Sequence, residues 1–511
     1  MRHRYLTLGL SLVLLLPACN KDALDKVNPN GGTPDSYYAN AIELTQGVNA
    51  IYALVQGTNL VGREYFFTHD LRSDDVATGG GQLEAPRAQL LTGSHTPANA
   101  VMNSVWNGFY RVILRANAVI ANGPEVQPQY ISEDLRKRLI GEAQFLRAWA
   151  YYNLVSLWGG VPLYTKPSES LEETEPRASV EAVYALIISD LTAAQTSLPT
   201  TYDGDNKGRA TSGAAQALLG KVYVQKGDYA AAKPELEKVV NSGVYSLVPN
   251  YEDNFKEETG FNNESVFEIG YAGQTINWGS ADGDGVHDAT VRTQEYNAIG
   301  WRNLVPSDAL LADYERVSKG DAKNDPRFGY NFYRIGDKFN NGADEISNTN
   351  VQGNESNFEG KREKISWKKY TSIYKNNING YYGPMNMRII RYADVLLLLA
   401  ECENEVGTAA NAIDYLNQVR TRPSVAMPPY PTANYPVNSK AEILRAVQHE
   451  RRVELAGEQV RNFDILRWRQ QGKIAEPISY FQANKQELLP IPQDEISNNP
   501  KLTQADQNPG Y

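Results

Sequence analysis

Two stretches of this 511-residue chain gather side chains that could hold a ligand. GREYFFTHDLRSDDVATGGGQ (62–82) supplies Tyr65, Arg72, Asp74 and Asp75, and YAGQTINWGSADGDGVHDATVRTQEYNAIGWRN (271–303) supplies Asn277, Trp278, Tyr296, Trp301 and Arg302. Aromatic faces stack on the apolar C–H side of a pyranose, while amides, carboxylates and guanidinium groups hydrogen-bond its hydroxyls, so this mixture suits a sugar. Core packing is the competing account of each ring taken singly. The pair of segments is a stronger candidate than any one residue in it.

Reaction chemistry has no comparable foothold. The chain has no His-Glu-x-x-His, no Gly-x-Ser-x-Gly elbow and no phosphate-binding Gly-rich loop with its Lys. Its histidines after the leader, His69, His95, His287 and His449, are too scattered to suggest a cluster. A glycosidase needs only two carboxylates at a suitable separation, but none of the 60 acids stands out as such a pair. The expectation is therefore a binding protein and not an enzyme. DGDGVHD, from Asp282 to Asp288, alternates acids with glycines as calcium loops do, yet a full loop would place Glu where Thr293 stands. A solvated turn is expected there, and no metal or cofactor.

The N-terminus carries a different kind of chemistry. Arg2 and Arg4 precede an apolar run from Leu6 to Leu16 that is too short to span a bilayer, and Leu16-Pro17-Ala18-Cys19 follows, with Pro17 the less usual choice in such a box. Bacterial lipoprotein processing requires Cys at this position so that its sulfur takes a diacylglycerol. Acyl chains on Cys19 would each add about 0.8 kcal/mol per buried methylene, enough for stable anchoring with more than one chain. The other cysteine, Cys402, lies in an apolar-rich segment, so neither a disulfide framework nor a cysteine metal site is expected. Acids outnumber bases by 60 to 50 with no basic tract, which removes the electrostatic footprint of a nucleic-acid partner.

The elements that would position these groups are mostly helical. A polar tether (about 20–36) leads to AIELTQGVNAIYALVQ, where Ile42, Val48, Ile51, Tyr52 and Val55 fall near one face. NAVMNSVWNGFYRVILRANAVIANG repeats the helical spacing through Val101, Val105, Tyr110, Ile113, Leu114, Ala118 and Val119, and Gly123-Pro124 stops it. LRKRLIGEAQFLRAWAYYNLVSLWGGVPL is apolar nearly all round, as an inner helix must be. GAAQALLGKVYVQKGDYAAAKPELEKVV has the small residues and aromatic knobs of a tetratricopeptide helix-turn-helix, and YADVLLLLAECENEVGTAANAIDYLNQVR echoes it. Between the echoes, about 250 to 388, Gly, Asn and Asp predominate with short strand-like pieces, and an ordered, loop-rich subdomain is expected.

EAQFLRAWAYYNLVSLWGGVPL, ERRVELAGEQVRNFDILRW (450–468) and LLPIPQDEISNNPKLTQADQNPGY resemble segments of the SusD/RagB family, nutrient-binding outer-membrane lipoproteins of Bacteroidetes; GRATSGAAQALLGKVYVQKGDY and the Cys19 box add two further matches in the same order. The resemblance implies a mainly α fold: tetratricopeptide-like helical pairs with a loop-rich, partly β subdomain that binds glycan. It implies a lid on a SusC-like TonB-dependent barrel, a surface-exposed lipid anchor, and a ligand-facing position for 62–82. The corresponding division is a leader (1–18), a lipidated tether (19–36), an N-terminal scaffold (37–250), a variable subdomain (251–388) and a C-terminal scaffold with an extended tail (389–511). Peptide binders in the same family and pure interaction scaffolds are the alternatives. In the 450–468 helix, Arg451, Arg452, Glu454, Glu458 and Arg461 can pair at three- and four-residue spacing and Arg467 can stack on Trp468, a network expected to position the scaffold.

Overall fold

The computed structural model describes residues 37–168, 170, 173–273, 288–377 and 383–511. Among the described residues, eight helices come first: α1 (Ala41–Gln56), α2 (Glu64–Leu71), α3 (Ala85–Thr92), α4 (Ala100–Asn122), α5 (Glu133–Trp158), α6 (Val180–Ser197), α7 (Ser212–Lys226) and α8 (Tyr229–Asn241). Side chains written into the sequence start them: Asn40, Asn99, Ser132, Ser179, Thr211 and Asp228 each accept an otherwise orphaned backbone N–H in the first turn. Helix α5 is the inner helix its sequence demands, with Trp149, Leu154 and Trp158 shut from solvent, and it packs against α1, α4 and α6.

The repeat logic holds at α7 and α8. Gly227 ends α7 at φ +77°, a conformation that favours glycine, and Gly220 faces Leu236 so closely that a Cβ there would lie 2.5 Å from its side chain. After the short helices α9 (Arg292–Tyr296), α10 (Asp308–Asp313) and α11 (Arg327–Asn331), the second echo forms α12 (Tyr392–Val406) and α13 (Ala409–Arg420), followed by α14 (Lys440–Leu455) and α15 (Arg461–Gln470). Helix α12 docks on α8, so the array continues in space although residues 242–391 intervene in sequence.

The intervening segment is made of short helical turns and two-stranded antiparallel pairs. Strand β1 (Val76–Thr78) pairs with β3 (Leu304–Pro306), while β2 (Ser265–Ile269) pairs with Met387–Arg391 and sets Phe267 edge-on against Phe145 of α5. The main core therefore runs unbroken from the helical array into this segment, with a small satellite around Tyr333, Phe339 and Ile373. At the C-terminus, Trp158 Nε1 donates to the Pro490 carbonyl at 2.9 Å and Asn508 Nδ2 to the Trp158 carbonyl at 2.9 Å, which pins the proline-rich tail beside α5.

Two details of helical patterning differ from expectation. Ile42 and Leu114 are 70% and 52% exposed, and the inner positions are taken by Leu44 and Leu54 in α1 and by Trp106 and Phe109 in α4. Periodicity fixes a stripe only to within about one residue of helix rotation, and the neighbour decides the rest. The charged residues of α14 also choose distant partners over helical neighbours. Glu454 accepts from Arg327, Arg391 and Arg422 at 3.1, 3.1 and 2.8 Å; Arg451 pairs with Asp394 and Asp464; Arg452 pairs with Asp74 and Asp75. Arg467 does lie over Trp468, 5.1 Å from its ring centre, but spends its guanidinium on Glu401 and Asp464.

Burial alone would raise the pKa of Glu454, but the charges of Arg422, Arg391 and Arg327 outweigh it and hold the carboxyl at about 2. A carboxylate depressed in the folded state adds stability above its unfolded pKa, about 4.3, and loses it as pH falls toward the folded value. Glu454→Gln is expected to lower stability by about 3–5 kcal/mol at neutral pH, because three buried guanidinium groups each lose one of the carboxylates that neutralise them. It should also make the loss of stability between about pH 4.3 and 2 shallower than in the wild type. Thermal unfolding followed by circular dichroism across that range checks both.

Candidate functional site

The two ligand-binding stretches expected from the sequence meet along one seam. Val76 and Thr78 of β1 stand opposite Pro306 and Leu304 of β3. Beyond the strands the contact continues, with the Gly79 N–H donating to the Asn303 carbonyl at 2.9 Å and the Val291 N–H to the Gly62 carbonyl at 3.3 Å. Arg63 reaches across to the buried Glu295 at 2.6 Å, and Glu295 also accepts from the Asn303 amide. The approach is so close that a Cβ on Gly79 would lie 1.6 Å from the Arg302 carbonyl oxygen, and one on Gly353 would lie 1.9 Å from the Gly79 carbonyl oxygen. Only glycine fits either position.

Asp70 is the joint beneath this seam. Its Oδ2 accepts from Arg292 at 3.0 Å, from the Tyr296 hydroxyl at 2.9 Å and from Gln459 Nε2 at 3.2 Å. One carboxylate thus ties α2 to α9 and both to the turn after α14. Asp74 and Asp75 tie the same stretch to the C-terminal helices, through Arg461 at 2.7 Å and Arg452 at 2.8 Å respectively. Burial opposes ionisation of Asp74, but Arg461 and Arg452 overcome it and hold that carboxyl below the usual range; burial and the neighbouring Asp74 charge push Asp75 up to about 6. Asp70 went unremarked in the sequence because one acid among three in HDLRSDD carries no signal of its own.

These placements correct the individual residues expected at a ligand. Tyr65 is buried against His69 and Trp149, with ring centres 4.5 and 5.7 Å away. Arg72 is buried and donates to the Gln486 carbonyl at 3.1 Å. Tyr296 is wholly enclosed, with the Arg292 guanidinium 3.5 Å above its ring centre. Arg302, at φ +51°, is buried without a carboxylate: it donates to Ser366 Oγ at 2.7 Å and to the carbonyls of Gln352, Asn354 and Ile365 at 2.8–2.9 Å. With Asp74 and Asp75, these side chains build the floor, where Arg72, Asp74, Asp75, Tyr296 and Arg302 hydrogen-bond to protein partners. Asn277, Trp278 and Asp282 to His287 of the acidic loop lie outside the described residues. Among the described residues, Trp301 alone of the expected aromatics is half-buried, its backbone N–H donating to the Gln294 carbonyl at 2.8 Å. Exposed amides edge the seam at Gln82, Gln352 and Asn354, and Asn354 donates to the Thr78 carbonyl at 3.2 Å. Among the described residues, no group of three or more His, Cys, Asp or Glu could hold a metal ion.

The fold is thus a helical-pair array carrying a loop-rich seam with one half-buried tryptophan and several exposed amides, and comparison with known proteins makes it specific. Residues 263–481 match the family described as the SusD family, and residues 33–224 match one described as starch-binding associating with outer membrane. The chain belongs to the SusD/RagB family, a glycan-binding, outer-membrane-associated family. SusD-like protein P2 of Formosa agariphila is 28% identical over 530 residues, covering 98% of each chain. A solved laminarin-binding SusD-like protein is 28% identical with a TM-score of 0.72, covering 92% of this chain and 99% of that one. A SusD superfamily protein from Bacteroides vulgatus shares the fold at 23% identity and a TM-score of 0.76, covering 93% of this chain and 100% of the other.

Asp70→Ala is expected to cost about 3–5 kcal/mol, because Arg292 would remain buried without its counter-ion. Asp70→Asn, which keeps acceptor geometry, should cost less. Urea unfolding of both variants checks the order, and hydrogen exchange should show the added opening concentrated in residues 62–82 and 288–303.

Proposed function

We propose that this protein captures oligosaccharides on the seam around Trp301 and delivers them to a SusC-like TonB-dependent barrel. The observation that carries the reading is the meeting of 62–82 with 288–303 under a half-buried indole edged by amides, in a chain of the SusD/RagB family. The laminarin-binding relative supports glycan as the ligand class. An indole face and several amides recognise a sugar without reacting with it, so the bound chain leaves uncleaved. The buried carboxylates at the seam, Asp70 and Glu295, are committed to arginine and amide partners. Residues 1–18 act as the leader and 19–36 as the tether, with acylated Cys19 holding 37–511 at the cell surface. Among the described residues, no helix is long and apolar enough to cross a membrane.

Trp301→Ala is expected to weaken oligosaccharide binding by roughly 1–3 kcal/mol, as loss of a central aromatic anchor does, while the unfolding midpoint stays near that of the wild type. Trp149→Ala, which empties a core position, should instead cost about 3–5 kcal/mol of stability. Calorimetry beside thermal unfolding separates the two, and unchanged affinity in Trp301→Ala would move the site elsewhere.

Cys19→Ala should release the protein from membranes when the barrel is absent. A tag on the native chain should bring down a large barrel in mild detergent, since a permanent lid contact buries on the order of 2,000 Å² or more. Migration alone in mild detergent counts against delivery, and membrane retention of the Cys19 variant without the barrel counts against lipid anchoring.

A further inference from the structure

Two adjoining hollows, of about 340 and 270 Å³, open on either side of Phe261, between α1, the 200–211 loop and β2. They share Lys207, Gly208, Arg209, Phe261 and Glu268, so the phenyl ring forms a ridge between them. No residue of the Trp301 seam lines either hollow.

The ridge is built at a cost. Phe261 is 37% exposed and sits at φ +54°, a conformation that disfavours a bulky side chain. Its N–H donates to both oxygens of the Glu268 carboxylate, at 3.2 and 3.1 Å, and that buried carboxylate also accepts from Asn386 at 2.7 Å and from Ser265. The ring rests against Gly208 and Gly270, where a Cβ on either would come within 2.7 Å of a ring carbon. The backbone is thus clamped with one side of the ring against two glycines and the rest left open to solvent. The surroundings are polar: the Lys207 and Asn263 side chains are exposed and make no hydrogen bond or ion pair among the described residues, and Arg209 is oriented by Glu142 at 3.0 Å and Asn49 at 2.6 Å.

We propose that the groove around Phe261 is a second saccharide site, holding a short oligosaccharide with one ring stacked on the phenyl face and its hydroxyls met by Asn263, Lys207 and Arg209. The inference rests on the glycan-binding reading above. A protein anchor would seek an apolar, desolvated pocket, whereas a rigid ring bordered by unpaired polar groups matches a sugar, with its apolar C–H face and hydroxyl rim. Each hollow is about the size at which small-molecule sites begin, on the order of 300 Å³.

The test titrates detergent-solubilised full-length protein with laminarihexaose, cellohexaose and xylohexaose by calorimetry. Glycine tolerates positive φ, so Phe261→Gly removes the ring while relieving the backbone, and the unfolding midpoint should hold. The expected result is two sites in the wild type for at least one of these probes. Phe261→Gly, and separately the exposed Asn263→Ala, should weaken one site at least tenfold and leave the other, which Trp301→Ala weakens instead. One site lost in Trp301→Ala and untouched by Phe261→Gly overturns the second site and leaves the proposed function standing. One site lost in Phe261→Gly and untouched by Trp301→Ala keeps the groove and removes the seam. Failure of all three probes to bind the wild type overturns both.

Discussion

Glu450, Glu454 and Glu458 project from α14 and the turn after it into a core that excludes water, and they meet there Arg327, Arg391, Arg420, Arg422 and Lys369. The arginines come from distant parts of the chain: α11, the strand paired with β2, and the end of α13 with its following turn. Ions removed from water are unfavourable unless each charge is met at close range, so the arrangement is close to all-or-none. Once α14 is seated, the middle segment, the array and the C-terminal helices have one relative placement that neutralises the cluster. Glu264 joins from beside β2 through Arg391 and Arg422, which binds that strand pair to the same knot.

The seam inherits its geometry from this knot. Arg452 and Arg461 lie on or just beyond the same helix and hold Asp75 and Asp74; Gln459 holds Asp70; Asp70 in turn holds Arg292 and Tyr296. A loop-built surface has few apolar contacts of its own to fix it. Here buried salt links supply the rigidity that loops lack, and they leave Trp301 half-buried and the amides of Gln82, Gln352 and Asn354 exposed at the seam. The same economy explains why so many polar residues in 62–82 and 288–303 are enclosed: they are the mounting.

Much of the architecture was legible in the sequence because it depends on local rules. The apolar spacing of α1 and α4 marks amphipathic helices, the all-round apolar α5 announces an inner helix, and the Leu219-Gly220 and Gly227-Asp228-Tyr229 spacing describes two helices in close approach. Segments 62–82 and 271–303 stood out by composition as two candidate stretches, but that 62–82 meets 288–303 in space, and that Glu64–Leu71 is helical, was not legible. Nor were individual roles. Tyr65 and Trp301 look alike as aromatic residues in Gly-rich and polar company, yet one is packed on Trp149 and the other stands at the seam.

The sequence by itself determined that helical pairs dominate, with α1, α4, α5, α7, α8, α12 and α13 read from their spacing, that the chain lacks the motifs of common enzymes, and that two stretches carry a composition suited to sugar; it missed the helix Glu64–Leu71 within the first of them. Those properties follow from short-range sterics, capping and side-chain chemistry, which act within a few residues. Tertiary structure alone decided which charge meets which. Glu454 could have paired within its helix, but it turns to Arg327, Arg391 and Arg422 because a buried carboxylate is satisfied only by donors converging from several directions, and one helix face cannot provide them. The same holds for Phe261: its type says core, and only the clamp formed by Glu268, Gly208 and Gly270 turns its ring toward solvent.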